Sequence, residues 1–537
     1  MTTNFLKHAL LIIIVSIIAL GCGDTVTKKE YKSPDEEYGE LFKEVQLKAV
    51  FADSKTFPDC VPKIKAEEIL KKYEEQKKAK NFDLRKFVLE NFTMPSNGNS
   101  NYVSNPKNSA GQHLAEQHIN ELWSVLTRKP KDIGGTLVPL LKPHVLTDGR
   151  FSEVSYWDSY FTMLGLQAAG KDSLMSNTVL NFAQLIQDFA HIPSGNRSYY
   201  FSRSQPPFFT SMVKLLSETK GYEDKLVQTL PQIQREYQYW MSVEKGGEDA
   251  QKQNEARKKG DKAYRKTVFI GKNDMLNRYF DDKDTPRPEA YKEDIQLASK
   301  SGRKVNQVYR DLRSGAESGW SFSSRWLRDG QSLSTIHTTD ILPVDLNAIL
   351  YDMEMTLSVI YKAKNEPEYA KSLEQLANKR KAIFDKYFWN EAAGFYFDYD
   401  FVAGKQTDVY SLAAVYPLFF KLATPAQAEK VAKVLETKFL QAGGLMTTLN
   451  QTNQQWDGSN GFASLQYLAI QGLRNYGFND LANKIKQNWV ANNLQVYKKT
   501  GKLLEKCNVS NLSGGEYPHQ YGFGSTSGVL LKLLSEK

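Results

Sequence analysis

Apolar residues recur at helical spacing along most of this chain, and no linker interrupts them. Leu346, Ile349, Leu350, Met353, Leu357 and Ile360 follow one another at steps that fall on one helix face. Met175, Val179, Phe182, Ile186 and Phe189 do the same, as do Phe462, Leu465, Leu468, Ala469 and Leu473. Strand-like alternation is scarce. Its main instance, GFYFDYD at 394–400 after a helix end at FWNEA, predicts a short hairpin. Residues 244–266 carry eight basic and five acidic side chains with three glycines, and read as a solvated insertion or exposed helix. No Pro/Gly/Ser-rich linker and no short fixed-period repeat divides residues 41–537. The pattern predicts one large, mainly helical domain, and 537 residues can bury its core.

The start of the chain reads as an address. Residues 9–20, ALLIIIVSIIAL, are apolar except for Ser16 and follow Lys7 and His8. Twelve helical residues rise about 18 Å, too short for a hydrocarbon core about 30 Å thick, so the run predicts a secretory signal. Its end, Ala19-Leu20-Gly21-Cys22, resembles the lipobox of bacterial lipoproteins, in which the Cys is acylated and becomes the new N-terminus. That resemblance implies a signal peptide over residues 1–22, lipidation of Cys22 and a protein held on the periplasmic side of a bacterial membrane. Residues 23–40 are polar and read as a tether.

Composition narrows the function by exclusion. A formal net charge of +9 over this length, with no basic stripe, gives no footprint for a nucleic acid. Cys22, Cys60 and Cys507 are too far apart for a disulfide framework or a zinc spacing. There is no phosphate-binding glycine loop, no HExxH, no GxSxG and no dinucleotide fingerprint. His113 and His118, five apart, read as surface or packing residues. What the chain does carry is a series of loop-like segments dense in Arg, carboxylate and aromatic residues. They include DGRFSEVSYWDSY at 148–160, IPSGNRSYYFSRSQPPFF at 192–209, DTPRPEAYKED at 284–294 and YRDLRSGAESGWSFSSRWLRDG at 309–330. Arg forks and carboxylates suit sugar hydroxyls, and aromatic faces suit the apolar side of a sugar ring.

With those segments in view the chain resembles the α,α-trehalases of the inverting glycoside hydrolase family thirty-seven. The likeness runs from FADSKTFPDCVPK at 51–63 through HINELWSVLTR at 118–128 to the C-terminal segment, and RF-x-E-x-x-YWDSY and QWD resemble the family's two signatures. The resemblance implies an all-α (α/α)6 barrel with short β-hairpins in its loops, spanning residues 41–537 as a catalytic domain. Its loops would enclose a pocket for trehalose or a related α-glucoside, and no cofactor is implied.

Inverting chemistry needs two carboxyl groups about 6.5–9.5 Å apart, one protonating the departing oxygen and one activating water. By resemblance the base is Glu505 in LLEKCN. The acid position, after Gly319 and Trp320 in SGWSFSSRW, carries Ser321 where the family has Asp. A serine hydroxyl cannot serve as general acid near neutrality. Glu317, four residues earlier, is the rescue candidate. The resemblance further implies binding roles for Arg150, Phe151, Trp157 and Asp158, for Arg203, Ser204 and Gln205, for Arg287 and Glu289, and for Gly319 and Glu516. Ser194 stands where the family has a sugar-binding Asn, and Ser155 where a Tyr is usual. Ser459, Phe462, Ser464, Cys507, Asn508 and Tyr521 also depart from the family pattern, and are expected in or near the pocket. Three readings remain open: a trehalase-like hydrolase, a sugar-binding lipoprotein that has lost its acid, or an enzyme hydrolysing or phosphorolysing another glucoside.

Overall fold

The computed structural model describes residues 31–95, 112–147, 152–271, 274–512 and 523–536. The signal segment, Cys22, and the binding positions Arg150, Phe151 and Glu516 lie outside the described residues, as does Tyr521.

Two kinds of helix alternate along the chain. Asp158–Ala168, Phe209–Ser217, Val344–Ala363, Tyr416–Phe419, Ala463–Arg474 and Gly524–Ser535 are buried on most of their surface. Such helices can only sit inside. Between them come Gln112–Leu126, Asp172–Phe189, Leu230–Trp240, Pro367–Phe388, Pro425–Val434 and Asn479–Thr500, mostly amphipathic and turned to solvent on one face. Each periodic stretch read from the sequence falls in one of these twelve helices, except that Phe462 lies just before Ala463–Arg474, at the end of a short strand. The inner six close a ring. Neighbours pack in the order given, Lys214 to Asp352 at 2.7 Å joins the second to the third, and Gly524–Ser535 packs back on Asp158–Ala168. That last contact is backbone to backbone: a Cβ on Gly528 would lie 2.2 Å from the Phe161 carbonyl, and one on Gly165 2.4 Å from the Gly528 Cα. Only glycine allows that approach. The architecture is an (α/α)6 barrel.

Strands are short and confined to loops. The hairpin expected after FWNEA forms, with Phe395–Tyr396 antiparallel to Trp389–Asn390. The charged stretch 244–266 is an exposed helix, Gly247–Lys259, leading into a three-stranded antiparallel sheet of Ala263–Tyr264, Thr267–Ile270 and Asp274–Asn277. One residue in that stretch, Lys266, is fully buried.

Two expectations are corrected. The tether drawn over 23–40 does not reach residue 40, because Pro34–Leu47 is a helix with Tyr38, Leu41 and Phe42 buried. Nor does the chain beyond residue 40 share one core. Residues 34–95 hold a small core of their own, in which Phe42, Phe57, Phe87 and Phe92 join Tyr291 from the barrel loops. Most of that core comes from three short helices rich in Lys and Glu, Pro34–Leu47, Ala66–Gln76 and Leu84–Asn91, with Phe57 and Phe92 added from a turn and a two-residue strand. His118 is a packing residue, 4% exposed and set against Tyr497. No described helix is long and apolar enough to cross a membrane.

One buried carboxyl in the barrel wall has no cation. Glu236, on Leu230–Trp240, is 0% exposed; it accepts the Tyr156 hydroxyl at 2.5 Å, and its second oxygen has no partner. Burial pushes its carboxyl up to about 8, against the weaker pull of Tyr156. The folded chain therefore holds this proton more tightly than the unfolded chain. Stability from this group falls as pH rises from about 4.5 to about 8 and is flat above. Glu236→Gln should remove that slope and stabilise the protein at pH 8.5 by on the order of a few kcal/mol, read from melting temperatures across pH 5–9. Parallel losses in wild type and variant would mean that Glu236 does not hold the proton.

Candidate active site

A cavity of about 340 Å³ opens where the inner helices begin, large enough for a disaccharide-sized ligand. Asp158 opens the first inner helix, Gln205 lies just before the second, and Phe523 and Ser525 lie at the start of the last; all line the cavity. Ser155, Ser194, Arg203, Arg287, Glu289, Ser321 and Glu505 line it too. Segments far apart in sequence thus converge on one space.

The frame is built from ion pairs. Arg203, 1% exposed, pairs through Nη2 with Glu289. Its Nε and Nη1, and the second Glu289 oxygen, are buried without a hydrogen-bond partner. Arg203 Nη1 lies 3.7 Å from Asp281, beyond bonding reach. Burial would raise the Glu289 carboxyl, but Arg203 and Arg287 together hold it below the ordinary range. Arg287 forks onto Asp294, Nε at 2.9 Å and Nη2 at 2.6 Å, and lies over the Phe322 ring. Ser155 donates to Asp158 at 2.7 Å and reaches Gln205 at 3.2 Å. Ser194 donates to the Ser204 carbonyl at 2.5 Å.

Ser321 is positioned by the residues on its C-terminal side. Trp456 N–H donates to the Phe322 carbonyl at 3.0 Å, and Asp457 accepts from Ser323 Oγ at 2.8 Å and Ser324 N–H at 2.8 Å. Arg325 forks onto Asp398 at 2.8 and 2.9 Å and reaches Asp345 at 3.0 Å. The QWD segment therefore acts as an anchor for the loop that carries Ser321. Glu505 precedes the strand Lys506–Asn508, which pairs with Asn460–Phe462 directly after QWD. Thr526 donates to the Leu504 carbonyl at 2.8 Å and ties that turn to the last inner helix.

Several expected positions lie behind the wall. Trp157 is buried, and its ring fills the space beside Gly319, where a Cβ would meet it at 3.0 Å and where φ is +76°. Ser204 is 0% exposed and donates its hydroxyl to the Ile192 carbonyl. Glu317, the rescue candidate, is corrected: it does not line the cavity. It is fully buried, ion-paired to Lys266 at 2.7 Å, and accepts Ser204 N–H at 2.9 Å and Phe280 N–H at 2.7 Å. The departures from the family pattern also separate. Ser155, Ser194 and Ser321 line the cavity; Ser459, Phe462, Ser464, Cys507 and Asn508 do not. Phe462 stacks on Trp456 at 3.6 Å, and the Cys507 thiol is buried, which pushes it up to about 12.

Lys55, Glu153 and Tyr200 line the cavity without having been singled out. Lys55 comes from the N-terminal unit, in the DSKTF stretch, and meets Glu153 at 2.6 Å and Asp59 at 3.0 Å. Burial would raise the Glu153 carboxyl, yet Lys55 and Arg197 hold it down to about 2. The signal was present, since both residues sit inside quoted motifs. Among the described residues no group of His, Cys, Asp and Glu could hold a metal ion.

Comparison with known proteins agrees with this geometry. The family described as Trehalase matches residues 49–537. Among solved structures, neutral trehalase Nth1 from Saccharomyces cerevisiae superposes with a TM-score of 0.59 at 23% identity, over 79% of this chain and 80% of that one. A mannosylglycerate hydrolase from Thermus thermophilus, solved with glucose, gives 0.51 at 16% identity, over 78% and 99%. These two likenesses concern the fold.

The Lys266–Glu317 pair sets the wall behind the cavity, and this can be measured. Glu317→Ala leaves a buried ammonium without its counter-charge and should cost roughly 3–5 kcal/mol in denaturant unfolding. Ser321→Ala should change stability by less than about 0.5 kcal/mol. Equal effects of the two substitutions would remove Glu317 from this supporting role.

Proposed function

The chain belongs to the trehalase family of glycosidases, and on that footing we propose that it hydrolyses an α-linked glucoside, trehalose or a relative, with inversion. Glu505 takes a proton from water, and the oxygen attacks C1 on the face opposite the departing group. Arg203 and Glu289 hold sugar hydroxyls. The observation that carries this reading is their set of buried, unpartnered atoms beside the cavity, two donors and one acceptor. Sugar hydroxyls both give and accept hydrogen bonds and would satisfy that set.

Ser321 limits the reaction. A sugar hydroxyl is a poor leaving group, and general acid assistance contributes about 10²–10⁴-fold. Trehalose should be turned over slowly or not at all, while α-glucosyl fluoride, which needs little protonation, is hydrolysed and Glu505→Gln abolishes that reaction. Ser321→Asp should raise trehalose hydrolysis by about 100-fold. Vigorous wild-type turnover of trehalose would overturn the missing-acid reading. The same serine favours a second reading, a sugar-binding protein without catalysis. Calorimetric binding of trehalose, with no turnover of the fluoride, would decide for it.

The proposal includes an exported protein held to a membrane by lipid on Cys22. Cys22→Ser should move the protein from the membrane fraction of the producing bacterium to the soluble fraction; unchanged partitioning would remove the anchor from the proposal.

A further inference from the structure

Among the described residues four carboxylates line the cavity, and each has another role than the acid. Glu153 is clamped by Lys55 and Arg197, and Glu289 by Arg203. Asp158 receives the Ser155 hydroxyl and sits in the first turn of its helix, where negative charge is stabilised. Glu505 is the proposed base. Tyr200, whose phenol burial pushes up to about 12, is a far weaker proton donor than a carboxylic acid. Glu317 is walled off with Lys266. Among the described residues that line the cavity, then, none stands out as the acid, which favours a leaving group that departs unprotonated.

The surroundings of Ser321 say what such a group would meet. Arg287 lies over Phe322, the residue next to Ser321, with its centre 5.0 Å from the ring. Its Nε and Nη2 are spent on Asp294, and Nη1 is not part of that fork. Arg203 keeps Nε and Nη1 without hydrogen-bond partners at 1% exposure, on the lining of the same cavity. Two guanidinium groups with unspent donors thus share the lining of the cavity with a position that is neutral here. An Asp at position 321 would repel an anion; Ser321 does not. Single guanidinium N–H donors left over from such pairs suit the oxygens of a phosphate.

We infer that the pocket acts on a glycosyl phosphate, an α-glucosyl ester of phosphoric acid, with Arg287 and Arg203 receiving the departing phosphate. The inference rests on the hydrolase reading above and names its substrate class. Glu505 accepts a proton from water as the water oxygen bonds to C1. The C1–O bond breaks, both electrons leave with the phosphate oxygen, and phosphate departs as its stable anion. The proton on Glu505 returns to solvent. No acid is needed at position 321.

The test uses the full folded protein with α-glucosyl 1-phosphate, α-glucosyl fluoride and trehalose, following phosphate, fluoride and glucose release and the anomer first formed. Wild type should release phosphate with β-glucose as first product. Arg287→Lys, checked for an unchanged melting temperature, should lower phosphate release at least about 10-fold more than fluoride release, because an ammonium that keeps Asp294 has no rigidly placed further donor for the phosphate. Ser321→Asp should depress phosphate release while raising trehalose hydrolysis. Fluoride hydrolysis without phosphate release above the Glu505→Gln background would overturn this inference and leave the hydrolase reading standing. Failure of both the fluoride and the phosphate would overturn the two together. If Arg287→Lys slows both substrates equally, Arg287 does not recognise the phosphate, and the inference falls.

Discussion

A buried ion pair, Lys266 with Glu317, fixes the geometry behind the cavity. Both side chains are fully removed from solvent. Desolvating two charges costs several kcal/mol, and a pair in such a place is tolerated only where further hydrogen bonds complete it. Here they do. Glu317 accepts two backbone N–H groups, at Ser204 and Phe280, and Lys266 donates to the Phe280 carbonyl at 2.5 Å. Ser204 lies between Arg203 and Gln205, both on the cavity. Phe280 precedes Asp281, which meets Arg313 at 3.3 Å and Arg203 at 3.7 Å. The pair therefore joins the helix Val305–Glu317, the small sheet and the SRSQ loop at one point, and from it the position of Arg203 follows.

The same economy governs the charged residues around the cavity. Lys55 with Glu153, Arg203 with Glu289 and Arg287 with Asp294 are each matched, so the pocket is polar without a large net field. Matched pairs hold their shape, but Lys55 and Arg197 also hold Glu153 ionised, as Arg203 and Arg287 do Glu289. A frame of this kind binds well and donates protons poorly. In a pocket where the acid position is a carboxyl, that division of labour is harmless. On the proposed reading, in which Ser321 stands at the acid position, the frame does not compensate, and leaving-group chemistry decides which substrate turns over.

Much of the fold was legible. Three of the twelve helices, Asp172–Phe189, Val344–Ala363 and Ala463–Arg474, announce themselves by apolar spacing, while which helices are inner and which outer is told by their burial. The small N-terminal core was harder to read, because the helix face of Tyr38, Leu41, Phe42 and Val45 straddles the end of the expected tether, and Phe57 and Phe92 contribute from a turn and a two-residue strand. At the site, residue type and motif located Ser155, Asp158, Arg203, Arg287, Glu289, Ser321 and Glu505, which converge on one cavity. They could not separate lining from support. Trp157, Gly319 and Ser204 carry the same motif signal as their neighbours, and only packing tells that they hold the wall from behind. Lys266 is the sharpest case, since one buried ammonium is indistinguishable in sequence from the seven other basic residues of its stretch.

The cavity also joins two cores. Lys55 belongs to the N-terminal unit, yet it reaches Glu153 on the barrel side, while Tyr199 donates to Asp59 at 2.6 Å in return. Gln46 donates to the Pro288 carbonyl at 3.0 Å, and Ser54 to Glu293 at 2.6 Å, on either side of Glu289. The RPE segment that supplies Arg287 and Glu289 is thus held from both units. A unit of some sixty residues with so small a core gains much of its stability from such contacts rather than from its own interior. The pocket needs the unit for its wall, and the unit needs the barrel for its fold. It follows that the DSKTF stretch, although outside the barrel, belongs to the site as fully as any loop of the ring.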